Sequence, residues 1–225
     1  MHHQMAASLK FQRRGRFVMF DRQLLALTKP VVNRVAKALY EAGVSANQIS
    51  LCGFGLGMLA AVLIAHGNIW AAIVPLLLNR LLDGLDGAVA RFSLPTDRGA
   101  FLDITLDFLF YAAVPLAFGF SNPVNNALAA AVLLASFIGT GVSFLAYAIM
   151  AEKRGEKSTA YPSKSFYYLG GLTEGFETVM CFVAMCLWPQ HFAVIAYVFA
   201  AMCCVTTLTR LVAGWQAFGV PPPRG

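Results

Sequence analysis

The sequence predicts an all-α integral membrane protein: six transmembrane helices preceded by an N-terminal amphipathic juxtamembrane helix. Three observations predict it. Hydrophobic residues make up 58% of the 225 and charged residues 12%, with mean hydropathy +0.65, far from the balance of a water-soluble domain. Six apolar runs each approach the ~20 residues that a helix needs to cross the hydrocarbon core. Lysine and arginine gather in alternate connections, the asymmetry that orients spans in a bilayer. The net charge of +6 is thereby explained as topology, and nucleic-acid binding is not implied.

Residues 1–20 carry Lys10, Arg13, Arg14 and Arg16 with no signal-type apolar core and are expected to form a cytoplasmic tail; His2 and His3 there read as incidental. Residues 21–43 alternate Leu24, Leu25, Leu27, Val31, Val32, Val35 and Leu39 with Arg22, Lys29, Arg34 and Lys37. That pattern predicts a helix lying on an anionic leaflet, basic side toward the headgroups, with Pro30 as a kink or break. Residues 44–214 are expected to form one membrane domain and 215–225 a C-terminal tail. Ser45 or Asn47 offers an N-cap for the first span.

The expected spans are Ile49–His66, Ile69–Ala90, Ala100–Phe120, Asn126–Met150, Phe166–Trp188 and Phe192–Ala213. The connections after His66, Phe120 and Trp188 contain neither Lys nor Arg. Those after Ala90 and Met150 carry Arg91, Arg98, Lys153, Arg154, Lys157 and Lys164. Both termini and the cytoplasmic ends of the second and third spans therefore share one side. Cys52, Cys181, Cys186, Cys203 and Cys204 lie in apolar stretches without metal-type spacing and read as reduced packing residues.

Four carboxylates break this apolar pattern. Asp83 and Asp86 stand three apart, Asp103 and Asp107 four apart, so on helices each pair projects from one face. An unpaired intramembrane charge costs about 3 kcal/mol or more. Two acidic faces turned together call for cations, and hard divalent ions take carboxylate and phosphate oxygens. Gly87 and Ala90 leave a strip without bulk for a flat group or a neighbouring backbone. Arg80 and Arg91 are near enough to pair with the acids, and Asn79 and Arg80 could orient a ligand carboxylate or a diphosphate, or serve helix packing. A path for divalent cations is the alternative that such an acid cluster raises. No internal inverted repeat is visible, and the acids gather near one face.

The string Asp83-x-x-Asp86-Gly87-x-x-Ala90-Arg91, then Gly99-x-x-x-Asp103-x-x-x-Asp107, resembles the signature of the CDP-alcohol phosphotransferase (CDP-alcohol phosphatidyltransferase) family of integral membrane enzymes. Seven residues separate Arg91 from Gly99, a tighter loop than is usual in that family. The resemblance implies transfer of a substituted phosphate from a CDP-linked donor, usually CDP-diacylglycerol, to an alcohol acceptor with release of CMP, in phospholipid biosynthesis. It implies two Mg²⁺ or Mn²⁺ ions held by Asp83, Asp86 and Asp103, with Asp107 taking the proton of the attacking hydroxyl or also touching a metal. It places the donor nucleotide beside Gly84, Gly87, Ala90, Arg91 and Gly99. Asn47 aligns with a segment that borders the nucleotide pocket, against its simpler role as a cap. It further implies a homodimer in a bacterial inner membrane with a cytoplasmic site.

In the fifth span Glu174 and Glu177, three apart among small residues, are expected to face the bundle interior. They either pair with Arg210 or line the acceptor pocket, where they favour a cationic or polyhydroxyl alcohol over an anionic one. Lys164, just before that span, is a candidate for an acceptor phosphate or donor headgroup.

Overall fold

In the computed structural model, residues 30–93, 96–154, 173 and 175–219 are described. They are helical almost throughout: α1 (residues 30–41), α2 (Ala46–Ala65), α3 (Ile69–Ala90), α4 (Asp97–Ser121), α5 (Pro123–Lys153), α6 (Gly175–Leu187), a 3-10 turn (Pro189–His191) and α7 (Phe192–Phe218). Of the expected amphipathic segment, 21–29 lie outside the described residues. From Pro30 onward, where a missing N–H costs a first turn nothing, the chain is helical. Val32, Ala36 and Leu39, on one stripe, dock it against Ile49 of α2 and Ala88 and Val89 of α3.

Local chemistry sets the boundaries. Ser45 accepts from the Gln48 N–H while the Gln48 side chain accepts from the Ser45 N–H, a capping box that starts α2. Gly43 and Gly67 take φ of +81° and +80°, so the chain reverses before and after α2 at positions where a side chain would be strained. Thr96 caps α4 through the Gly99 N–H. Asn122 alone separates α4 from α5, capping α5 ahead of Pro123. Helix α5 starts three residues before its expected first residue and ends at Lys153, and α7 continues past Ala213 to Phe218. Hydropathy marks only the apolar centre of a span, whereas caps and polar last turns carry the backbone further.

Among the described residues, four helical segments, Ala46–Ala65, Asp97–Ser121, Pro123–Lys153 and Pro189–Phe218, are long and apolar enough to cross a membrane. The chain is an integral membrane protein. Helix α3 has the length, at 22 residues, but carries Arg80, Asp83 and Asp86, so the acids that make it interesting remove it from a hydropathy criterion. The described part of α6 is 13 residues long, and the rest of the expected fifth span lies outside the described residues.

Helices α3 and α4 each pack against α2, α4 against α5, α5 against α7, and α6 against α3 and α7. The core is built from Ile64, Leu76, Phe110, Phe118, Leu133, Phe182, Phe192 and small residues between them. Large apolar side chains on the outward faces, among them Val74, Leu81, Leu128, Val142 and Leu208, stay exposed, as a lipid-facing surface requires. Gly57 of α2 receives Phe110 of α4 so closely that a Cβ there would lie 2.6 Å from the ring. The five cysteines are free thiols.

Candidate active site

The acids meet in a cleft whose floor is α2 and whose walls are α3 and α4. Ser50, Gly53 and Phe54 line it from α2, Asn79, Arg80, Asp83 and Asp86 from α3, and Asp103, Leu106 and Asp107 from α4. Asn79, Asp83 and Asp86 recur along α3, and Asp103 and Asp107 along α4, so each wall presents its polar groups on one helical stripe. One carboxylate oxygen each from Asp83, Asp86 and Asp103 lies within 4.8 Å of the others. Asp86 is buried, Asp83 half-buried and Asp103 exposed, which makes the group a pocket with a mouth. The donors are all carboxylate oxygens, the chemistry that hard divalent cations such as Mg²⁺ or Mn²⁺ take. The Ser50 hydroxyl donates to Asp86 Oδ2 across the floor.

Asp107 stands outside that group of three. Its Oδ1 lies 2.8 Å from Arg80 Nη2, while Asp83 is 3.6 Å from Arg80 Nη1. Arg80 is held on every side. Its Nε donates to Asn79 Oδ1 at 2.8 Å and its Nη1 to the Tyr111 hydroxyl at 3.1 Å. Asn79 in turn donates to the Gly53 carbonyl at 2.9 Å. The guanidinium carbon sits 4.6 Å from the centre of the Phe110 ring and 5.3 Å from that of Tyr111. Arg80 thus both pairs with the acids and packs on the rings; Arg91 is exposed at the end of α3.

The glycine strip is open. A Cβ at Gly84 or Gly87 would meet nothing within 4 Å, and both positions are exposed beside the acids, with Ala90 half-buried one turn further on. Across the mouth, Asn47 Oδ1 would lie 3.2 Å from a Cβ at Gly99. Asn47 and Gly99 are therefore neighbours, and the cap of α2 is Ser45, not Asn47.

The expected acceptor residues are only partly described. Lys164 and Glu174 lie outside the described residues. Glu177, expected to face the bundle interior, is exposed in the first turn of α6, where Thr178 and Val179 take the buried positions. That is the ordinary outcome for a carboxylate two residues from a helix start, where open backbone and water are close. The same turn borders the cleft: a Cβ at Gly175 would lie 3.4 Å from the Tyr111 hydroxyl. Arg210, the candidate partner of the two glutamates, donates to the Thr140 carbonyl at 2.9 Å. Ser50 and Tyr111 were not singled out by sequence; the signal for Tyr111 is its four-residue step from Asp107, and that for Ser50 is a hydroxyl at the start of an apolar stretch.

A family model described as CDP-alcohol phosphatidyltransferase matches residues 44–212. The Escherichia coli inner membrane protein YnjF is 51% identical over 197 residues, covering 88% of this chain and 96% of that protein. Archaetidylinositol phosphate synthase of Pyrococcus horikoshii is 34% identical over 87 residues, 38% of this chain and 46% of its own length. The crystal structure of Mycobacterium tuberculosis phosphatidylinositol phosphate synthase PgsA1 with CDP-DAG bound has the same fold. Its TM-score is 0.61 at 20% identity, over 83% of this chain and 94% of that one. The same enzyme in complex with manganese and citrate gives a TM-score of 0.58, also at 20% identity, over 82% and 88%. With that match over its helices, and with the acids spaced as the family signature requires, the chain belongs to the CDP-alcohol phosphatidyltransferase family of membrane enzymes.

Proposed function

We propose that the protein transfers the phosphatidyl group of CDP-diacylglycerol to the hydroxyl of a small alcohol, releasing CMP. The observation that carries this reading is the convergence of Asp83, Asp86 and Asp103 within 4.8 Å, with Asp107 set apart beside them. The CDP-DAG bound to the PgsA1 neighbour supports the lipid donor. Family membership gives the alternative, a divalent-cation path, no support.

Asp83, Asp86 and Asp103 would hold two Mg²⁺ or Mn²⁺ ions. Bound there, the ions supply charge neutralisation for a diphosphate and its leaving group. The remaining work falls to the chain. The open backbone at Gly84 and Gly87, with Ala90, gives the cytidine a surface to lie on, and Asn47 and Gly99 close its other side. Arg91, exposed at the end of α3, meets a donor phosphate. Asp107 accepts the proton of the acceptor hydroxyl as its oxygen bonds to phosphorus and the bond from phosphorus to the CMP oxygen breaks. In transfers to phosphorus, catalysis is largely positioning of this kind together with electrostatic stabilisation. Glu177, in the turn that borders Tyr111, belongs to the acceptor side, with Glu174 and Lys164 completing that pocket.

The protein sits in a bacterial inner membrane, as the name of the E. coli relative supports, with six spans, α3 and the α6 segment included, and with both termini and the site on the cytoplasmic side. Residues 21–43 lie along that surface, 44–214 form the catalytic domain, and two copies associate as a homodimer. The test is CMP release by purified protein in lipid with CDP-diacylglycerol, Mn²⁺ or Mg²⁺ and a panel of alcohols. Release that depends on one acceptor, and falls at least about a hundredfold in Asp107→Asn and under EDTA, is the expected result. Folded wild-type protein silent with every donor and acceptor would refute the reading.

A further inference from the structure

We infer that Arg80 is a positioning residue for the reaction: its guanidinium fork holds Asp107 toward the acceptor side and reserves it from the three-carboxylate group. This deepens the transferase reading and rests on it. The four acids are not equivalent in the structure. Three come together within 4.8 Å, and the fourth accepts a hydrogen bond from the Arg80 guanidinium at 2.8 Å, whereas Asp83 of the three lies 3.6 Å from it.

Arg80 could act as a mere counter-charge, but its surroundings are far more specific than that role needs. Neutralising a carboxylate requires only a cation nearby, and a lysine would serve. Arg80 is instead locked in direction. Nε is fixed on Asn79, itself anchored to the Gly53 carbonyl of the floor, and Nη1 is fixed on the Tyr111 hydroxyl. The face of the guanidinium rests on Phe110, which Gly57 admits to the core. Only Nη2 is left to point at Asp107. A planar fork with three separately anchored nitrogens defines an orientation that a lysine ammonium cannot reproduce.

The direction has a chemical use. Asp107 and Tyr111 are one helical turn apart on α4, and the start of α6 lies against the Tyr111 hydroxyl. The fork thus ties the proton acceptor to the side of the cleft from which an alcohol approaches, away from Asp86 and Asp103. If Asp107 were free to swing to the cation group, the transfer would lose its proton acceptor while cation binding survived.

The experiment compares wild type, Arg80→Lys and Tyr111→Phe in lipid. Binding of Mn²⁺ alone is followed by its paramagnetic resonance signal, and CMP release gives kcat and KM for donor and acceptor. For Arg80→Lys the expected result is Mn²⁺ affinity and both KM values within about threefold of wild type, but kcat lower by about a hundredfold. Tyr111→Phe, which removes only the hydroxyl that fixes Nη1, shows the same pattern with a fall of about fivefold. Should Arg80→Lys fail to fold, Tyr111→Phe decides alone. Wild-type kcat in either folded variant overturns the inference, as does a kcat loss matched by an equal loss of Mn²⁺ binding. A wild type that releases no CMP removes the transferase reading itself, and this inference with it; an active wild type with indifferent variants removes only the inference.

Discussion

At the scale of single residues, the site depends on groups that are themselves held. Asp86 is buried and receives the Ser50 hydroxyl, so its oxygens are aimed before any ligand arrives. Removing such an orienting partner from a metal-binding carboxylate typically weakens affinity tenfold or more. Ser50→Ala is therefore expected to raise the Mn²⁺ concentration needed for half-maximal binding by about tenfold, measured by titration of the purified protein, with its thermal midpoint little changed. The acids themselves were legible in the sequence because charge inside an apolar run is conspicuous and a step of three or four residues means one face. Ser50 was not, since a hydroxyl carries no charge and an apolar helix tolerates it. Arg80 stood in between: its position one turn before Asp83 suggested either pairing or packing, and the geometry shows both at once.

At the scale of elements, α3 is the unusual helix. It presents acids on one stripe, which continues the buried Leu76 and Asn79, and bare backbone at Gly84 and Gly87 beside them, while Ala88 and Val89 bury other positions of the same turn. Because no atom approaches within 4 Å of a Cβ at Gly87, a bulky side chain there fits the folded protein and obstructs only what binds over it. Gly87→Leu is expected to leave expression and thermal stability unchanged and to raise KM for the CDP-linked donor by about tenfold, a loss of about 1.4 kcal/mol in binding. A variant with unaltered donor KM would show that the nucleotide lies elsewhere. Element boundaries were the less legible part. The apolar run of α5 begins near Asn126, but the Asn122 cap and Pro123 start the helix earlier, and Lys153 lies within its last turn. For α7 the residues after Ala213 read as a tail by composition, yet the backbone stays helical to Phe218, where Arg154 donates to the Ala217 and Phe218 carbonyls.

At the scale of the whole molecule, the membrane class was legible from composition, because no soluble core could bury so many apolar residues. What composition does not carry is how the helices converge. Helices α3 and α4 both lean on α2, and three like charges face one another in the gap between them. A divalent cation seated there joins two elements that carboxylate repulsion pushes apart. Binding to the folded state alone stabilises it by about 2.7 kcal/mol at a hundredfold excess over the dissociation constant. The thermal midpoint is accordingly expected to rise with Mn²⁺ or Mg²⁺ and to fall back with EDTA, and Asp103→Asn should abolish most of the rise. A midpoint indifferent to divalent ions in wild-type protein would contradict the cation reading. The Gly57 contact has a different reach. Its ring neighbour leaves no room for a single carbon, while Leu59 and Val62, close by on the same helix, are 48% and 52% exposed to the surroundings. Over long divergence the two kinds of position should part ways: lipid-side residues drift among apolar types, and position 57 admits no replacement unless position 110 shrinks in the same lineage.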